Sequence, residues 1–321
     1  MISVIITTYR EKTTLPKAIQ AILDNIRNSE EFIVGKETWS EGQMFEILVI
    51  GPDQDTERIV REFSQKYPEV RYLKDSGVGK PAALNLAFQK AEGEILVLTD
   101  GDVWTEKDAL RNLLKHFEIK EIGAVSGRPV SINPRNNIFG YWSHFLTEAA
   151  HHMRLSDKHW PCSGYLYAIR NLYIRNKFVF RSQNILPEDV LSEDAVITEM
   201  IRNQGYQIVY APEAKVYVKY PDNFRDWIKQ KVRATGGYLQ NLRNYESVTN
   251  IRIKKMRALW QEIGGGLKLF FTYPQNLREF WWTILLYLAR IYLWFLIFWQ
   301  IKIRHLSFNQ IWQRIESTKI I

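Results

Sequence analysis

The sequence has little cysteine and lacks the segments that mark several classes of protein. Cys162 is the only cysteine in 321 residues, so no internal disulfide can form and a reducing compartment is the simplest setting. There is no internal repeat, low-complexity segment, full Rossmann glycine fingerprint or Walker loop, and Gly77-Val78-Gly79-Lys80-Pro81 has the spacing of neither motif. The start, Met1 to Thr8, has no basic region or cleavage site, so we expect no signal peptide.

The composition is that of a globular chain with an excess of positive charge. Hydrophobic residues make up 46% and charged residues 24%, and the net charge is +8. Basic residues interleaved with aromatic ones become frequent after position 225, a pattern that suits nucleic acid or an anionic membrane surface. Because no recognised nucleic-acid-binding motif accompanies the charge, we expect no nucleic-acid partner.

A long apolar stretch at 280–301 favours a membrane. It is as long as a bilayer-spanning helix and has Trp281, Trp282 and Trp299 near its ends. Arg290 lies in its middle, where a charge facing lipid costs about 2.5–3.5 kcal/mol or more, so it should face a carboxylate, water or a partner helix from a second copy or a membrane partner. The candidates are a single span, a re-entrant hairpin bent near Arg290, an interfacial helix or a buried core helix. Basic residues flank both ends of the stretch, so their distribution does not indicate which end would face the cytoplasm.

Strand-like and helix-like segments alternate along the first half of the chain. This βαβ pattern predicts an α/β fold with a mostly parallel central sheet. Predicted strands lie at 2–8, 46–50, 70–73, 94–99, 122–131, 165–169 and 207–210. Predicted helices lie at 13–27, 55–66, 79–91, 106–118, 137–154 and 193–204.

The triplet Asp100-Gly101-Asp102 directly follows the apolar run at 95–99. A buried strand that ends in two carboxylates presents them at the carboxyl edge of the sheet, where open α/β sheets bind ligands. Hard oxygen ligands beside a glycine suit Mg²⁺ or Mn²⁺ held against a diphosphate. The triplet therefore predicts a divalent cation site formed by Asp100 and Asp102.

Five short motifs occur in suitable predicted elements: Gly79-Lys80-Pro81-Ala82-Ala83-Leu84-Asn85, the Asp100-Gly101-Asp102 triplet, Cys162-Ser163-Gly164, Ser192-Glu193-Asp194 and Gln230-Lys231-Val232-Arg233. In these motifs and their order the chain resembles, over about residues 1–240, membrane-associated family-2 glycosyltransferases of GT-A fold. Three features depart from the family pattern. The first loop, Thr7-Thr8-Tyr9-Arg10-Glu11, keeps the Tyr and Glu but lacks the Pro and Asn; the second strand is followed by Gly51-Pro52-Asp53; and Ala234 replaces the Trp after Gln-x-x-Arg.

The resemblance implies a role for each motif. Asp194 would be the catalytic base, Asp100 and Asp102 would hold the metal, and Glu193 would share an acceptor pocket with Cys162, Ser163 and Gly164. The nucleotide-sugar would contact Thr8, Tyr9, Glu11, Asp53, Lys80, Asp100, Gln230 and Arg233. Structural alternatives exist as well, since Ser192-Glu193-Asp194 is also a good helix start.

From these features we expect four regions and one activity. A GT-A catalytic domain would cover 1–220, amphipathic interfacial helices 221–275, a transmembrane or re-entrant helix 276–305 and a tail 306–321. The expected activity is inverting sugar transfer from a nucleotide-diphosphate donor, with a UDP-sugar first, to a lipid-linked or glycan acceptor at the cell membrane. The catalytic domain would lie on the cytoplasmic side. The alternatives are a processive polysaccharide synthase that needs a membrane partner, and an inactive sugar-nucleotide-binding scaffold.

Overall fold

The computed structural model describes residues 1–27, 32–34, 37–39, 45–157, 160–171, 186–187, 190, 192–235, 268–299 and 315–319. Its strands are β1 (Ile2–Thr7), β2 (Phe32–Val34), β3 (Glu37–Trp39), β4 (Phe45–Gly51), β5 (Val70–Lys74), β6 (Ile95–Asp100), β7 (Val103–Thr105), β8 (Ile122–Ser131), β9 (Leu166–Arg170) and β10 (Gln207–Val218). Its helices are α1 (Leu15–Arg27), α2 (Gln54–Lys66), α3 (Lys80–Lys90), α4 (Ala109–Leu114), α5 (Ile138–Ser156), α6 (Glu193–Asn203), α7 (224–235) and α8 (Leu277–Phe298). Residues 268–272 are also helical, and short 3₁₀ turns lie at Lys115–Glu118 and Glu316–Thr318.

Eight of the strands form one mixed sheet in the order β5-β4-β1-β6-β9-β8-β10-β7. Pairing is parallel from β5 to β6 and again between β8 and β10. It is antiparallel where β9 lies between β6 and β8, and where β7 closes the edge on β10. Thr7 pairs with Asp100 in the register of β1 and β6, so both strands end at the same edge.

The core covers both faces of this sheet. Alternate residues of β1 point to opposite sides: Val4 and Ile6 pack with α1, whereas Ile5 packs with α3 and α6. A central strand covered on both faces has apolar residues at almost every position, which is why β1, β4 and β6 are continuous apolar runs in the sequence. The result is a three-layer arrangement that fixes the strand ends rigidly.

The predicted α/β fold is confirmed, with three additions. The two-stranded sheet of β2 and β3 and the short edge strand β7 were not predicted, and β10 extends to Val218 instead of ending near Tyr210. More than half of the predicted interfacial region, residues 236–267, lies outside the described residues, as does most of the predicted tail. The proposed domain boundaries remain predictions.

Helix α8 is a continuous helix that lies along the rest of the protein. It is the one described helix long and apolar enough to cross a membrane, by length and composition, and it runs through Arg290 without the bend of a re-entrant hairpin. Leu286 and Ala289 pack in a cluster with residues of α5 and α7, and Leu293 packs with Val232 of α7.

Polar contacts reinforce this packing at the start of α8. Arg135 forms an ion pair with Glu279 at 2.9 Å. The hydroxyls of Tyr141 and Thr283 are hydrogen-bonded at 2.6 Å, and Trp142 donates its indole N–H to a backbone carbonyl of α8. One face of α8 is therefore held by α5, α7 and Arg135, while the opposite face carries exposed apolar side chains.

We predict that Leu286→Ala lowers the free energy of unfolding by about 2–5 kcal/mol, because Leu286 is 1% exposed within the cluster. Leu288→Ala is the matched control, since Leu288 lies on the same helix and is 56% exposed. The measurement is thermal or chemical unfolding of the purified protein. Equal effects of the two substitutions would contradict the packing of α8 on the domain.

Candidate active site

A cleft of about 490 Å³ opens at the carboxyl ends of β1, β5 and β6. Its walls come from these strand ends, the start of α3, the start of α6, one face of α7 and the segment 315–319. Nine residues that the sequence analysis selected line it together: Thr8, Tyr9, Glu11, Lys80, Asp100, Asp102, Glu193, Gln230 and Arg233. The topology thus gathers groups that are more than two hundred positions apart.

Lys80 joins two carboxylates in the wall of this cleft. Its ammonium lies 2.6 Å from Asp100 Oδ1 and 2.7 Å from Glu193 Oε1. Burial alone lowers the pKa of Lys80, but the charges of Asp100 and Glu193 outweigh it and hold the pKa above its usual value. Lys80 reaches this place because Gly79, with φ at +149°, turns the chain directly into the first residue of α3.

Asp100 is the last residue of β6 and is held on two sides. It accepts a hydrogen bond from the Thr7 hydroxyl at 3.0 Å as well as the contact from Lys80. Burial raises the pKa of Asp100, and the positive charge of Lys80 offsets this only in part. Several carboxylates at one sheet edge repel one another, so their ionised forms are favourable only when cations lie close by.

Asp102 and Glu11 form a second acidic pair, and both contact the ammonium of Lys319. Nζ of Lys319 lies 2.5 Å from Asp102 Oδ2 and contacts Oε1 of Glu11. Burial, followed by the charge of Asp102, raises the pKa of Glu11 to about 8. A glycine is required between the two aspartates, since a Cβ at Gly101 would lie 2.6 Å from Glu11 Oε2.

These oxygens fit a divalent cation that is shared with a diphosphate. Among the described residues, no group of three or more His, Cys, Asp or Glu side chains is placed to hold a metal ion by itself. However, Mg²⁺ commonly takes only one or two carboxylates and completes its shell with phosphate oxygens and water. Glu11 Oε2 is buried without a hydrogen-bond partner, which adds an available hard oxygen beside Asp102. The donor set therefore suits Mg²⁺ or Mn²⁺ bound together with a nucleotide.

Asp194 lies beside the segment 162–164 and next to Glu193, and it is not among the residues that line the cleft. Its carboxylate accepts hydrogen bonds from the backbone N–H groups of Gly164 and Ala195, each at 2.9 Å. Burial, followed by the charge of Glu193, raises the pKa of Asp194 to about 6. The alternative that Ser192-Glu193-Asp194 serves only as a helix start has little support, because the side chain of Ser192 makes no capping hydrogen bond to α6.

The rest of the segment 162–164 is packed inside the protein. The backbone N–H groups of Cys162 and Ser163 donate to the hydroxyls of Thr198 and Ser126. Burial raises the pKa of the Cys162 thiol to about 11, so the thiol stays protonated at neutral pH. In this segment Gly164 is the residue in contact with Asp194, whereas Cys162 and Ser163 are 1% and 4% exposed.

Asp53, predicted to contact the nucleotide-sugar, lies outside the cleft, and Asp75, which was not predicted, lines it. Asp53 is the N-cap of α2, where it accepts from Thr56 and from the Arg10 N–H, and it does not line the cleft. Asp75 lines the cleft with Gly77 and Val78, and its Oδ1 is buried without a hydrogen-bond partner. Burial raises the pKa of Asp75. Since Asp75 directly follows β5, the rule that identified Asp100 also applies to it.

The sequence analysis also missed Tyr165 and Lys319. Tyr165 lies in the cleft directly before β9, and burial raises its pKa to about 12. Lys319 belongs to a segment without an apolar pattern and reaches the cleft only through tertiary contacts. No signal in the sequence points to it.

The mixed sheet, with acidic and basic side chains meeting at its carboxyl edge, has the fold of the GT-A class. The model of Glycosyl transferase family 2 matches residues 3–181, more than half of the chain, and the model of Glycosyl transferase family group 2 matches residues 95–299. The chain belongs to glycosyl transferase family 2.

Two curated relatives show how distant the similarity is. The probable glycosyltransferase YdaM of Bacillus subtilis is 24% identical over 250 residues, which are 74% of this chain and 54% of that protein. The poly-beta-1,6-N-acetyl-D-glucosamine synthase of Staphylococcus epidermidis is 24% identical over 258 residues, which are 79% of this chain and 58% of that protein. The chain thus spans little more than half the length of these relatives.

Two solved structures share the fold. The mannosyltransferase PcManGT of Pyrobaculum calidifontis, in complex with GDP-Man and Mn²⁺, has a TM-score of 0.55 at 19% identity and covers 87% of this chain and 76% of its own. Residues 1–349 of TarS from S. aureus, in complex with UDP-GlcNAc, have a TM-score of 0.50 at 14% identity and cover 89% and 79%. At such identities the likeness shows the fold alone.

We predict that Lys80→Met lowers the free energy of unfolding by about 1–3 kcal/mol, because Asp100 and Glu193 lose their common cation. The cost stays below that of a fully buried pair, since the Lys80 side chain is 29% exposed. Lys90→Met, at the exposed end of the same helix, is the control. Denaturant unfolding measures both, and a Lys80→Met protein as stable as the control would contradict the bridging role.

Proposed function

We propose that this enzyme transfers one sugar from a nucleoside-diphosphate donor to a hydroxyl group, with inversion at the anomeric carbon. The observation that carries the proposal is the convergence of Asp100, Asp102, Glu193 and Lys80 in one cleft at the carboxyl edge of the sheet. UDP-sugars are the first donors to test, and GDP-sugars the second. The names of the two structural neighbours, one with UDP-GlcNAc and one with GDP-Man, support both choices.

The cleft supplies charge on the side where the diphosphate leaves. Breaking the bond between sugar and diphosphate develops negative charge on the leaving oxygen, and fixed positive groups stabilise it. Lys80 and Arg233 both line the cleft and are placed to do so. A divalent cation on Asp102, with Asp100 nearby, supplies Lewis-acid stabilisation of the same charge when it is bound.

Asp194 is the group proposed to take the proton from the acceptor hydroxyl. A hydroxyl is a weak nucleophile and needs a carboxylate that removes its proton during attack. The two backbone N–H groups fix the carboxylate of Asp194, and a pKa of about 6 leaves it ionised at neutral pH. Its neighbour Glu193 is engaged by Lys80 at 2.7 Å, which leaves Asp194 the better base.

Asp75 is proposed to contact the nucleobase, in place of Asp53. Asp53 is engaged with Thr56 and Arg10 as a helix cap, whereas Asp75 presents a buried oxygen without a partner beside the cleft. A carboxylate oxygen in such a place accepts an N–H group. Both uracil and guanine carry a ring N–H, so this contact alone does not choose between the two bases.

We predict that Asp194→Asn lowers the transfer rate by about 10²–10⁴-fold and leaves binding of the nucleotide intact, because an amide cannot accept the proton. In the unsubstituted enzyme the rate should fall as the pH drops through about 6, where Asp194 becomes protonated. Nucleotide release from UDP- and GDP-sugars, with membrane lipid extract as the acceptor, measures the rate. Full transfer by Asp194→Asn would refute the assignment.

We also propose that the protein works at the surface of a membrane, with α8 lying in the interface. The exposed side chains of α8 form an apolar stripe that includes Trp281, Leu288, Phe295 and Trp299. The opposite face packs along its length on α5 and α7, and α5 carries charged side chains such as Glu148. If α8 crossed the bilayer in this packing, the charged side chains of α5 would also enter the hydrocarbon layer, which is unfavourable.

This orientation favours a lipid-linked or membrane-surface acceptor. We expect the catalytic domain on the cytoplasmic side of that membrane. A processive synthase completed by a membrane partner is the second candidate, and the name of the Staphylococcus epidermidis relative favours it. The two differ in their products, since single transfer adds one sugar and processive synthesis yields a polymer. An inactive scaffold would release no nucleotide from any donor.

We predict that Phe295→Glu weakens binding to vesicles containing anionic lipid by about tenfold or more, because burying a phenylalanine side chain is worth about 1.5–3 kcal/mol. Ile119→Glu is the control: Ile119 is 53% exposed and Phe295 59% exposed, but Ile119 lies just after the 3₁₀ turn that follows α4. Vesicle flotation measures binding. An equal effect of both substitutions would exclude α8 as the specific contact.

A further inference from the structure

The segment 315–319 puts a lysine where the proposed function needs a cation. The ammonium of Lys319 contacts Asp102 and Glu11, the acidic pair that is open to a divalent cation. The side chain is 18% exposed, and the segment lines the same cleft as Lys80 and Asp100. A single positive group thus satisfies both carboxylates from inside the chain.

The segment is docked through several contacts besides this ion pair. Thr13 donates its hydroxyl to the backbone carbonyl of Lys319 at 2.8 Å, and Ser317 donates to Asp226 Oδ2 at 2.8 Å. Ile315 and Thr318 are 5% and 6% exposed. The partners lie before α1 and in α7, so the segment joins two walls of the cleft.

The ammonium of Lys319 lies between the two carboxylates, in contact with both Asp102 and Glu11. A divalent cation on Asp102 would share that carboxylate with a positive charge 2.5 Å from Oδ2, which like-charge repulsion opposes.

Lys80 is a different case, although it is also an ammonium in the cleft. It belongs to α3, and its ammonium bridges Asp100 and Glu193, whereas the ammonium of Lys319 bridges Asp102 and Glu11. Lys80 can therefore remain in place when a cation binds at Asp102. Lys319 is the group of the described cleft that competes for the same oxygens.

We propose that Lys319 is an intramolecular occupant of the divalent-cation site, so that a cation binds only when the segment 315–319 withdraws this ammonium from Asp102 and Glu11. This inference rests on the proposed function, because it takes Asp102 as a metal ligand. The apparent affinity for the cation equals the intrinsic affinity multiplied by the fraction of molecules in which Lys319 has left. Lys319 thus sets the cation concentration at which the enzyme works.

The experiment measures Mn²⁺ binding to the full chain without nucleotide, by electron paramagnetic resonance of free Mn²⁺. Lys319→Gln should bind Mn²⁺ about tenfold tighter than the unsubstituted protein, because the competing charge is gone. Lys319→Arg should keep the weaker affinity, since the charge remains. Lys90→Gln, on the exposed end of α3, is the control for removal of any lysine.

A second variant tests the docking of the segment without changing the charge of the cleft. Ser317→Ala removes the side-chain hydrogen bond to Asp226 and leaves the backbone one, so it should tighten Mn²⁺ binding by a smaller factor than Lys319→Gln. This variant also answers the question if Lys319→Gln does not fold. Unchanged affinity in Ser317→Ala together with a poorly folded Lys319→Gln protein would count against the inference.

The remaining outcomes separate the inference from the function on which it rests. If Lys319→Gln binds Mn²⁺ as well as or more weakly than the unsubstituted protein, and Asp102→Asn abolishes binding, the cation site stands and the competition is refuted. If Mn²⁺ binds to none of the proteins, or Asp102→Asn binds it unchanged, the metal role of Asp102 fails and the inference fails with it.

Discussion

The concentration of carboxylates at one sheet edge is the constraint on which the rest of the structure depends. Glu11, Asp100, Asp102 and Glu193 all line one cleft, where burial and the neighbouring carboxylates raise the pKa of Glu11 and of Asp100. Two lysines from distant parts of the chain balance them, Lys80 on one pair and Lys319 on the other. The elements that carry these residues are therefore held together by electrostatics as well as by the apolar core.

Much of the fold and of the cleft could be predicted because the signals are local. The strands β1, β4 and β6 are apolar runs, and the rule that ligands bind at the carboxyl ends of parallel strands led directly to Asp100 and Asp102. The same rule would have found Asp75 after β5. The family resemblance, which depends on motif order, supplied Lys80, Glu193, Gln230 and Arg233, and all of them line the cleft.

The features that escaped prediction depend on tertiary contacts. Whether an apolar helix faces lipid or protein is decided by its neighbours, and the composition of α8 does not reveal that Thr283 meets Tyr141 or that Glu279 meets Arg135. The role of Asp53 as a helix cap depends on its backbone geometry and on the N–H of Arg10. Lys319 is invisible for the same reason, since its partners are about two hundred and three hundred positions away.

The packing of α8 on α7 sets the distance between α8 and the cleft. Val232, which packs with Leu293 and Ile297, directly precedes Arg233 in the cleft wall. Packed helices lie about 8–10 Å apart, so in the proposed interfacial orientation the cleft would stand little more than one helix diameter above the lipid. The enzyme would then select acceptors by the distance of their hydroxyl group from the bilayer. A hydroxyl held much farther from the bilayer on a long headgroup would lie out of reach of the cleft.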